Sequence, residues 1–255
     1  MKLSGKELKE FLDEKYELYN RPSFIGHDPI SIPHKFNIKE DIEIAALFSA
    51  TIAWGQRPTI IRNANRLMEY MDNEPYKFIL HSQKRDWKRF EGFAHRTFQN
   101  IDVVYFIESL RNIYRNHGGI ERVFAEKSKK DIKSGISHFR KIFLTINPNG
   151  RTAKHIANVE RNASAKRINM FLRWMVRKDK RGVDFGIWKS ISPSLLYCPL
   201  DLHSGRVARK LGLLDRKQDD WKAVDELTIN LRMLDIKDPV KYDFALFGLG
   251  AFEKF

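Results

Sequence analysis

Apolar residues recur every three or four positions along most of this chain, and charged residues fill the positions between them. That spacing predicts amphipathic helices, because residues three and four apart lie on one face of an α-helix. No stretch alternates apolar and polar residues strictly enough to demand a strand. We therefore expect an all-α fold, a compact bundle of about ten or more short helices. The predicted helices cover residues 3–20, 38–54, 59–71, 74–82, 102–114, 120–125, 132–144, 164–177, 183–188, 204–211, 220–234 and 239–247.

The segments between these helices carry turn-forming residues. Residues 20–37 contain three prolines, which predicts a loop lying over the surface. Asn147-Pro-Asn-Gly150 is a strong turn signal. The chain length suits one large domain. We expect a single all-α domain spanning residues 1–255, with two helical lobes and a cleft between them.

The helix predicted at 164–177 combines an apolar face with a lysine in its first turn. Ser164 is the expected N-cap, because its hydroxyl can accept a backbone N–H of that turn. Lys166 then lies at the positive end of the helix dipole, where a protonated ammonium is disfavoured relative to a neutral, nucleophilic amine. The apolar face consists of Ile168, Phe171, Leu172, Met175 and Val176.

Asp201 is a carboxylate that can work with this lysine. It lies 35 positions after Lys166, between a proline and the helix predicted at 204–211. A lysine amine and an aspartate can together attack a sugar carbon, expel a base and form a Schiff base. The alternatives are that Lys166 is a solvated surface group or half of a structural ion pair, and that Asp201 only caps the following helix.

A tight turn, Trp54-Gly-Gln-Arg-Pro58, separates the second and third predicted helices. A turn that carries Trp54, Gln56 and Arg57 is well shaped to enter a DNA groove. Trp54 or Gln56 would then fill the space that an extruded base leaves in the stack. In the alternative interpretation this is an ordinary helix–helix turn with Trp54 in the core.

The charge of the chain indicates a polyanionic partner. The 255 residues include 46 Lys and Arg against 32 Asp and Glu, a net charge of +14. Nucleic acid is the common partner of so basic a protein; a membrane surface or the ribosome is less common. The residues expected to contact DNA are Trp54, Gln56, Arg57, Arg151, Lys154, His155, Arg161, Arg167, His203 and Arg206.

One of these residues and one further stretch have open alternatives. His203 could contact a phosphate, orient Asp201 or serve only as a structural histidine. The stretch at 82–92 mixes basic and aromatic residues, which fits a nucleic-acid surface or any solvated face of a basic protein.

Other functional classes are excluded by composition. The single cysteine, Cys198, excludes an internal disulfide and a four-cysteine zinc or iron–sulfur site. No apolar run approaches the roughly 20 residues that span a bilayer, and we see no signal peptide. We expect a cytoplasmic protein, nucleoid-associated if it is bacterial, with no membrane contact, no metal and no cofactor.

Three stretches resemble the helix-hairpin-helix DNA glycosylase superfamily, the group of endonuclease III and the 8-oxoguanine glycosylases. Ala46-Leu-Phe-Ser-Ala-Thr51, with the helix to Met71, resembles the early helix pair whose turn approaches the lesion. Ala165-Lys-Arg-Ile168 resembles the hairpin's end, where the catalytic lysine opens a helix. Pro199-Leu-Asp-Leu-His203 resembles the Asp-Thr-His segment that supplies the catalytic carboxylate.

The likeness spans residues 40–251 and includes an apolar closing helix at 244–251. The long interval between lysine and aspartate is nearer to the archaeal 8-oxoguanine glycosylases than to endonuclease III. More closely still, the sequence resembles a bacterial family that carries only the label DUF2400. The superfamily resemblance implies Lys166 as the nucleophile and Asp201 as its partner.

Three features depart from the superfamily pattern. A Gly-x-Gly hairpin, whose backbone N–H groups hold a phosphate, normally precedes the lysine. Here those residues are Arg161-Asn-Ala-Ser-Ala165, without glycine. The threonine of Asp-Thr-His is Leu202, and the iron–sulfur cysteines are absent, as in several branches of the superfamily.

The resemblance implies a base-excision repair glycosylase, with or without AP lyase activity, that acts on double-stranded DNA. The sequence does not reveal the oligomeric state, and a monomer is favoured. A damaged base, with an oxidised purine favoured, would be flipped into a pocket beside Lys166 and Asp201. Two other functions stay open. One is a catalytically inactive nucleic-acid-binding protein on the same scaffold, which the altered hairpin favours; the other is an RNA- or ribosome-associated basic helical protein.

Overall fold

The structure, a computed structural model, describes residues 4–147 and 150–255, and most of them are helical. Residues 148 and 149, inside the predicted turn at 147–150, lie outside the described residues. The α-helices are α1 (Gly5–Tyr19), α2 (Lys39–Thr51), α3 (Arg57–Tyr70), α4 (Pro75–His81), α5 (Asn100–Asn116), α6 (Ile120–Ala125), α7 (Ile132–Phe143), α8 (Lys166–Val176), α9 (Leu202–Lys210), α10 (Trp221–Leu234) and α11 (Tyr242–Ala251).

The chain divides into two compact units. The terminal unit comprises the residues before 25 and after 157, and contains α1 and α8 to α11. The central unit comprises residues 25–157 and contains α2 to α7. The cleft expected between two lobes stays a prediction. Among the described helices, none is long and apolar enough to cross a membrane.

Helix α8 is almost entirely enclosed within the terminal unit. Its five predicted apolar positions, 168, 171, 172, 175 and 176, are at most 4 % exposed, which confirms the predicted buried face. Trp174 is also fully buried, as expected of a core residue. Because the helix is held on nearly every side, its first residue has a defined position.

Helix α11 packs against both α1 and α9, and two glycines make these contacts close. A Cβ atom at Gly248 would lie 2.1 Å from Cδ2 of Tyr19, and one at Gly250 would lie 2.9 Å from the carbonyl oxygen of His203. Neither distance is compatible with a real Cβ atom. Glycine is therefore required at both positions for the backbone of α11 to approach its neighbours.

The prediction of a short helix at 183–188 is wrong. The N–H of Phe185 donates to the carbonyl of Trp174, and the N–H of Trp188 donates to the carbonyl of Met175. The last carbonyls of an α-helix have no partner within the helix. This segment supplies those partners for α8, so its own backbone runs without helical hydrogen bonds.

Buried charges join the same segment to α8 and α11. Arg173 Nε lies 3.2 Å from Asp184 Oδ1, and Arg177 Nη1 lies 3.0 Å from Asp184 Oδ2. Arg173 also pairs with Asp243 of α11, and Arg177 pairs with Asp238 at 2.9 Å. A buried charge is tolerated only when it is paired and hydrogen-bonded. The network therefore fixes α8 relative to α11.

In the central unit, α2 is buried on nearly all sides, as its continuous apolar pattern predicts. The prediction of a surface loop at 20–37 is wrong in part. It contains three 3₁₀-helices, and Ile30 and Ile32 are fully buried. The 3₁₀-helix Pro29–Ser31 contacts both α2 and α3. Burial of these apolar side chains outweighs the surface preference of a proline-rich segment.

The expectation of no strands is wrong at one place. The two-residue strands β1 (Ala94–His95) and β2 (Phe98–Gln99) form an antiparallel hairpin. His95 and Phe98 are buried, whereas Ala94 and Gln99 are exposed. The alternation is present, but strands of two residues are shorter than the runs from which a strand can be recognised.

Candidate functional site

Lys166 is the first residue of α8, and the residue before it has a left-handed backbone. Ala165 is the N-cap with φ 51° and ψ 31°. The predicted N-cap, Ser164, is wrong, because no side chain among the described residues caps this helix; the carbonyl of Ser164 instead accepts from Nδ2 of Asn169 at 3.2 Å. A left-handed conformation costs a non-glycine residue about 1–2 kcal/mol. The approach to Lys166 is therefore strained.

The hairpin that precedes α8, residues 158–165, is fastened to the start of α10. Asn162, also left-handed at φ 63°, donates from Nδ2 to Asp220 Oδ2 at 2.8 Å. Its carbonyl accepts from the N–H of Trp221 at 3.0 Å. Arg216 Nε holds the other oxygen of Asp220 at 2.7 Å. These contacts hold the left-handed turns without the glycines that would adopt them at lower cost.

Asp201 uses its two carboxylate oxygens differently. Oδ1 accepts from the backbone N–H groups of His203 at 2.9 Å and Ser204 at 3.0 Å, so Asp201 is the N-cap of α9. Oδ2 lies 3.7 Å from Nζ of Lys166. The structure thus brings the two residues together, and the capping bonds set the direction of the carboxylate. The side chains of Lys166 and Asp201 are 28 % and 23 % exposed, so a ligand can reach both.

Asp243 is a second carboxylate in the same neighbourhood. It is buried in α11 and paired with Arg173. Burial raises the pKa of Asp243 to about 6; the Arg173 charge opposes this rise, the Asp201 charge adds to it, and the Lys166 charge opposes it. Asp243 is not among the site residues predicted from the sequence. The available signal was an aspartate in the first turn of a strongly apolar helix, where a charge needs a buried partner.

The thiol of Cys198 is fully buried, and burial raises its pKa well above the usual range. A buried thiol of this kind is a poor nucleophile. In residues 4–147 and 150–255, no group of three His, Cys, Asp or Glu side chains is arranged to hold a metal ion.

The other candidate residues of the terminal unit lie near its surface. Arg161, His203 and Arg206 are exposed, and Arg206 Nη2 donates to the carbonyl of Gly250 at 3.0 Å. Arg167 is half-buried, and burial lowers its pKa. The backbone of His203, rather than its imidazole, orients Asp201; the ring instead lies 6.5 Å from that of Phe247.

In the central unit, Trp54 packs between two histidines. Its ring lies 5.1 Å from that of His95, edge-on, and 6.2 Å from that of His155, stacked. His155 is buried, with Nε2 3.4 Å from Asp102 Oδ2. Burial of His155 argues against its expected contact with DNA, because its side chain is enclosed beside Asp102. Trp54 itself is half-buried, and these ring contacts pack it against its own unit.

The turn at 54–58 leaves Gln56 exposed and Arg57 half-buried at the start of α3. Arg96, at the tip of the β-hairpin, covers the turn: a Cβ at Gly55 would lie 2.9 Å from Arg96 Nε. Arg96 is not among the residues predicted from the sequence, since the hairpin that presents it was not predicted.

Arg151 and Lys154 are both exposed, but Arg151 is already engaged. Arg151 Nη1 donates to Gln99 Oε1 at 2.7 Å, and its Nη2 donates to the carbonyl of Thr97 at 2.9 Å. It also lies 3.1 Å from Asp102. Arg151 therefore stabilises the hairpin, and Lys154 is the more accessible cation of the two.

Comparison with known proteins gives a family without an assigned activity. The family described as "Protein of unknown function (DUF2400)" matches residues 28–252, a segment that includes both Lys166 and Asp201. No curated protein and no solved structure matches the chain. The match covers most of the sequence, so the chain belongs to the DUF2400 family.

Proposed function

We propose that this protein is a DNA glycosylase that excises a damaged base through a lysine nucleophile. One observation carries the proposal: the amine of Lys166, at the first residue of α8, lies 3.7 Å from the Asp201 carboxylate, and both side chains are accessible. The net charge of +14 supports a nucleic-acid substrate. The resemblance to helix-hairpin-helix glycosylases favours an oxidised purine as the excised base.

The reaction would begin with an extruded nucleotide, because a base inside a duplex is out of reach of any side chain. The neutral amine of Lys166 attacks C1′ of the sugar. The C1′–N glycosidic bond breaks, and its electron pair leaves with the base, which takes up a proton. The negative charge of Asp201 stabilises the positive charge that develops on the sugar, and its carboxylate can accept the proton that the amine loses.

Opening of the sugar ring then gives a Schiff base between Lys166 and C1′. Removal of a C2′ proton and departure of the 3′ phosphate would cleave the strand by β-elimination. The capping bonds to Oδ1 of Asp201 leave Oδ2 directed at Lys166. One carboxylate can therefore hold α9 in place and take part in the chemistry.

Borohydride trapping tests the proposal, because it reduces the Schiff base to a stable amine. We expect the wild-type protein to be captured on at least one duplex from a panel that includes 8-oxoguanine and abasic sites. Lys166→Ala should reduce capture to background. Lys222→Ala is the matched control, since Lys222 is an exposed lysine in the first turn of α10 in the same unit, and it should leave capture unchanged.

A second candidate function is a catalytically inactive protein that binds nucleic acid on this scaffold. The glycine-free hairpin at 161–165 favours it, because side chains at left-handed positions hinder close approach of a phosphate to the backbone. If the wild-type protein binds DNA but borohydride captures no adduct on any lesion, this function is supported and the glycosylase is refuted. A preference for structured RNA over lesion-containing duplex would instead favour an RNA- or ribosome-associated role.

A further inference from the structure

A solvent-exposed groove of about 840 Å³ runs along α3 in the central unit. We call it the arginine groove. Its volume is within the range typical of ligand sites, roughly 300–1,000 Å³. The ionisable and aromatic side chains that line it are His27, Arg57, Arg62, Arg66, Glu69 and Tyr70.

Two of its arginines carry positive charge that no acidic residue in the described part of the chain neutralises. Arg62 has no hydrogen bond or ion pair with any described residue, and Arg66 donates only from Nε to the phenol oxygen of Tyr70 at 2.5 Å. Arg62 and Arg66 are four residues apart and point into the same groove. Like charges at this spacing destabilise a helix by roughly 0.2–0.5 kcal/mol. A bound anion would relieve that repulsion.

Seven arginines outside the groove are closely paired with carboxylates. Ion pairs of 3.2 Å or less hold Arg89, Arg151, Arg173, Arg177, Arg181, Arg209 and Arg216. In the arginine groove the only carboxylate among the described lining residues is Glu69, which forms no ion pair with Arg66. The ammonium of Lys35 adds further positive charge. It lies 2.7 Å from Oδ1 of Asn65, a residue of α3 that also lines the groove.

Arg66 is also held in place before any ligand arrives. Its guanidinium lies 5.1 Å from the centre of the Tyr70 ring, and Nε is bonded to the Tyr70 hydroxyl. The two terminal nitrogens of Arg66 are left to donate, in the forked geometry that suits a phosphate. A guanidinium fixed in this way loses less entropy on binding than a mobile side chain.

We propose that the arginine groove binds the phosphate backbone of nucleic acid, at a site separate from Lys166 and Asp201. From the helical rise, Arg57 and Arg62 are separated by about 7.5 Å along the axis of α3, and Arg62 and Arg66 by about 6 Å. These intervals are comparable to those between consecutive phosphates of one strand. The identity of the strand as DNA rests on the proposed function; the charge complementarity of the groove does not.

The test measures how strongly salt weakens binding. The probe is a short fluorescein-labelled DNA duplex without a lesion, followed by fluorescence anisotropy at several salt concentrations. Each phosphate contact contributes about 0.9 to the slope of log K against log salt concentration. Arg62→Ala/Arg66→Ala should lower that slope by roughly 1.8. The double variant should fold, because alanine suits a helix and the like-charge pair is removed.

Lys129→Ala/Lys130→Ala is the matched control, since it removes two exposed positive charges from the same unit outside the groove. The two double variants have equal net charge, so a general loss of attraction would affect them equally. We expect the control to change the slope by less than half as much. Equal slopes in both variants, or no binding of the duplex by the wild-type protein, would overturn the proposal.

The outcomes also distinguish the groove from the proposed enzyme. If the slope falls as expected but borohydride captures no adduct, the groove stands and the glycosylase fails. If capture requires Lys166 and the slope is unchanged, the glycosylase stands and the groove fails. Tripolyphosphate serves as a competitor: if the arginine pair affects binding of tripolyphosphate but not of the duplex, the groove is a small-anion site and the proposal is refuted.

Discussion

Replacing Asp201 by asparagine or by alanine separates its two roles. Asparagine keeps a side-chain oxygen that can accept from the N–H groups of His203 and Ser204, and it is as good an N-cap as aspartate. Alanine removes both the cap and the charge. Loss of an N-cap costs about 1 kcal/mol. For a protein of this length that lowers Tm by about 2–4 °C.

The ion pair with Lys166 adds little to stability, because the two side chains are 3.7 Å apart and partly exposed. Pairs of this kind contribute below about 1 kcal/mol. Asp201→Asn should therefore unfold within about 1 °C or 2 °C of the wild type, whereas Asp201→Ala should show the full capping loss. Thermal unfolding followed by circular dichroism measures both.

Activity, unlike stability, should fall in both Asp201 variants. Both variants lack the carboxylate charge, so the single-turnover rate of borohydride capture should fall about 100-fold or more in each. Asp131→Ala is the control for capping alone, since Asp131 is the N-cap of α7 and accepts from the N–H of Lys133 at 3.1 Å. It should lose stability and keep capture. Wild-type capture by Asp201→Asn would refute the catalytic role and leave only the cap.

Three further predictions concern the terminal unit. Gly248→Ala should destabilise the protein by about 1–3 kcal/mol in urea unfolding, because the new methyl group overlaps the ring of Tyr19; an unchanged midpoint would show that α11 is not held this closely. The pKa of Asp243 is raised to about 6 in the folded state, so protonation of this carboxyl stabilises the fold. The stabilisation is fully present below the ordinary pKa of an aspartate and is lost as pH rises through about 6. Asp243→Asn should remove a slope of up to about −1.4 kcal/mol per pH unit between about pH 4 and 6, and parallel pH–stability curves for variant and wild type would contradict this. Ala165→Gly should change stability by less than about 0.5 kcal/mol, since relief of left-handed strain offsets the lost methyl group and the added flexibility; Ala223→Gly, buried within α10, should cost about 2 kcal/mol, and equal costs would argue against strain before Lys166.

The features that the sequence predicts well are those set by local spacing. The buried face of α8 follows from positions three and four apart, and its exposure of at most 4 % confirms that face. Asp201 as a cap follows from its place just before a helix. In both cases the physical cause lies within one or two turns of the residue concerned.

The features that the sequence misses depend on distant partners. Segment 183–188 is not helical because its N–H groups donate to carbonyls of α8, and His155 is buried beside Asp102, which is distant in sequence. Asp243 joins the neighbourhood of Lys166 only because Arg173 accompanies it into the core. None of these pairings leaves a periodic signal in the residues that precede or follow it.

Helix α11 contacts both helices that supply the candidate pair. Two turns separate Asp243, which is bonded to α8, from Gly250, which touches the backbone at the start of α9. Helix α11 thereby sets the distance between the amine of Lys166 and the carboxylate of Asp201, although it contributes neither group. A side chain as small as a methyl at position 250 would act as a wedge under α9 and move Asp201 without touching it. The geometry of the candidate pair thus depends on the absence of a side chain at position 250.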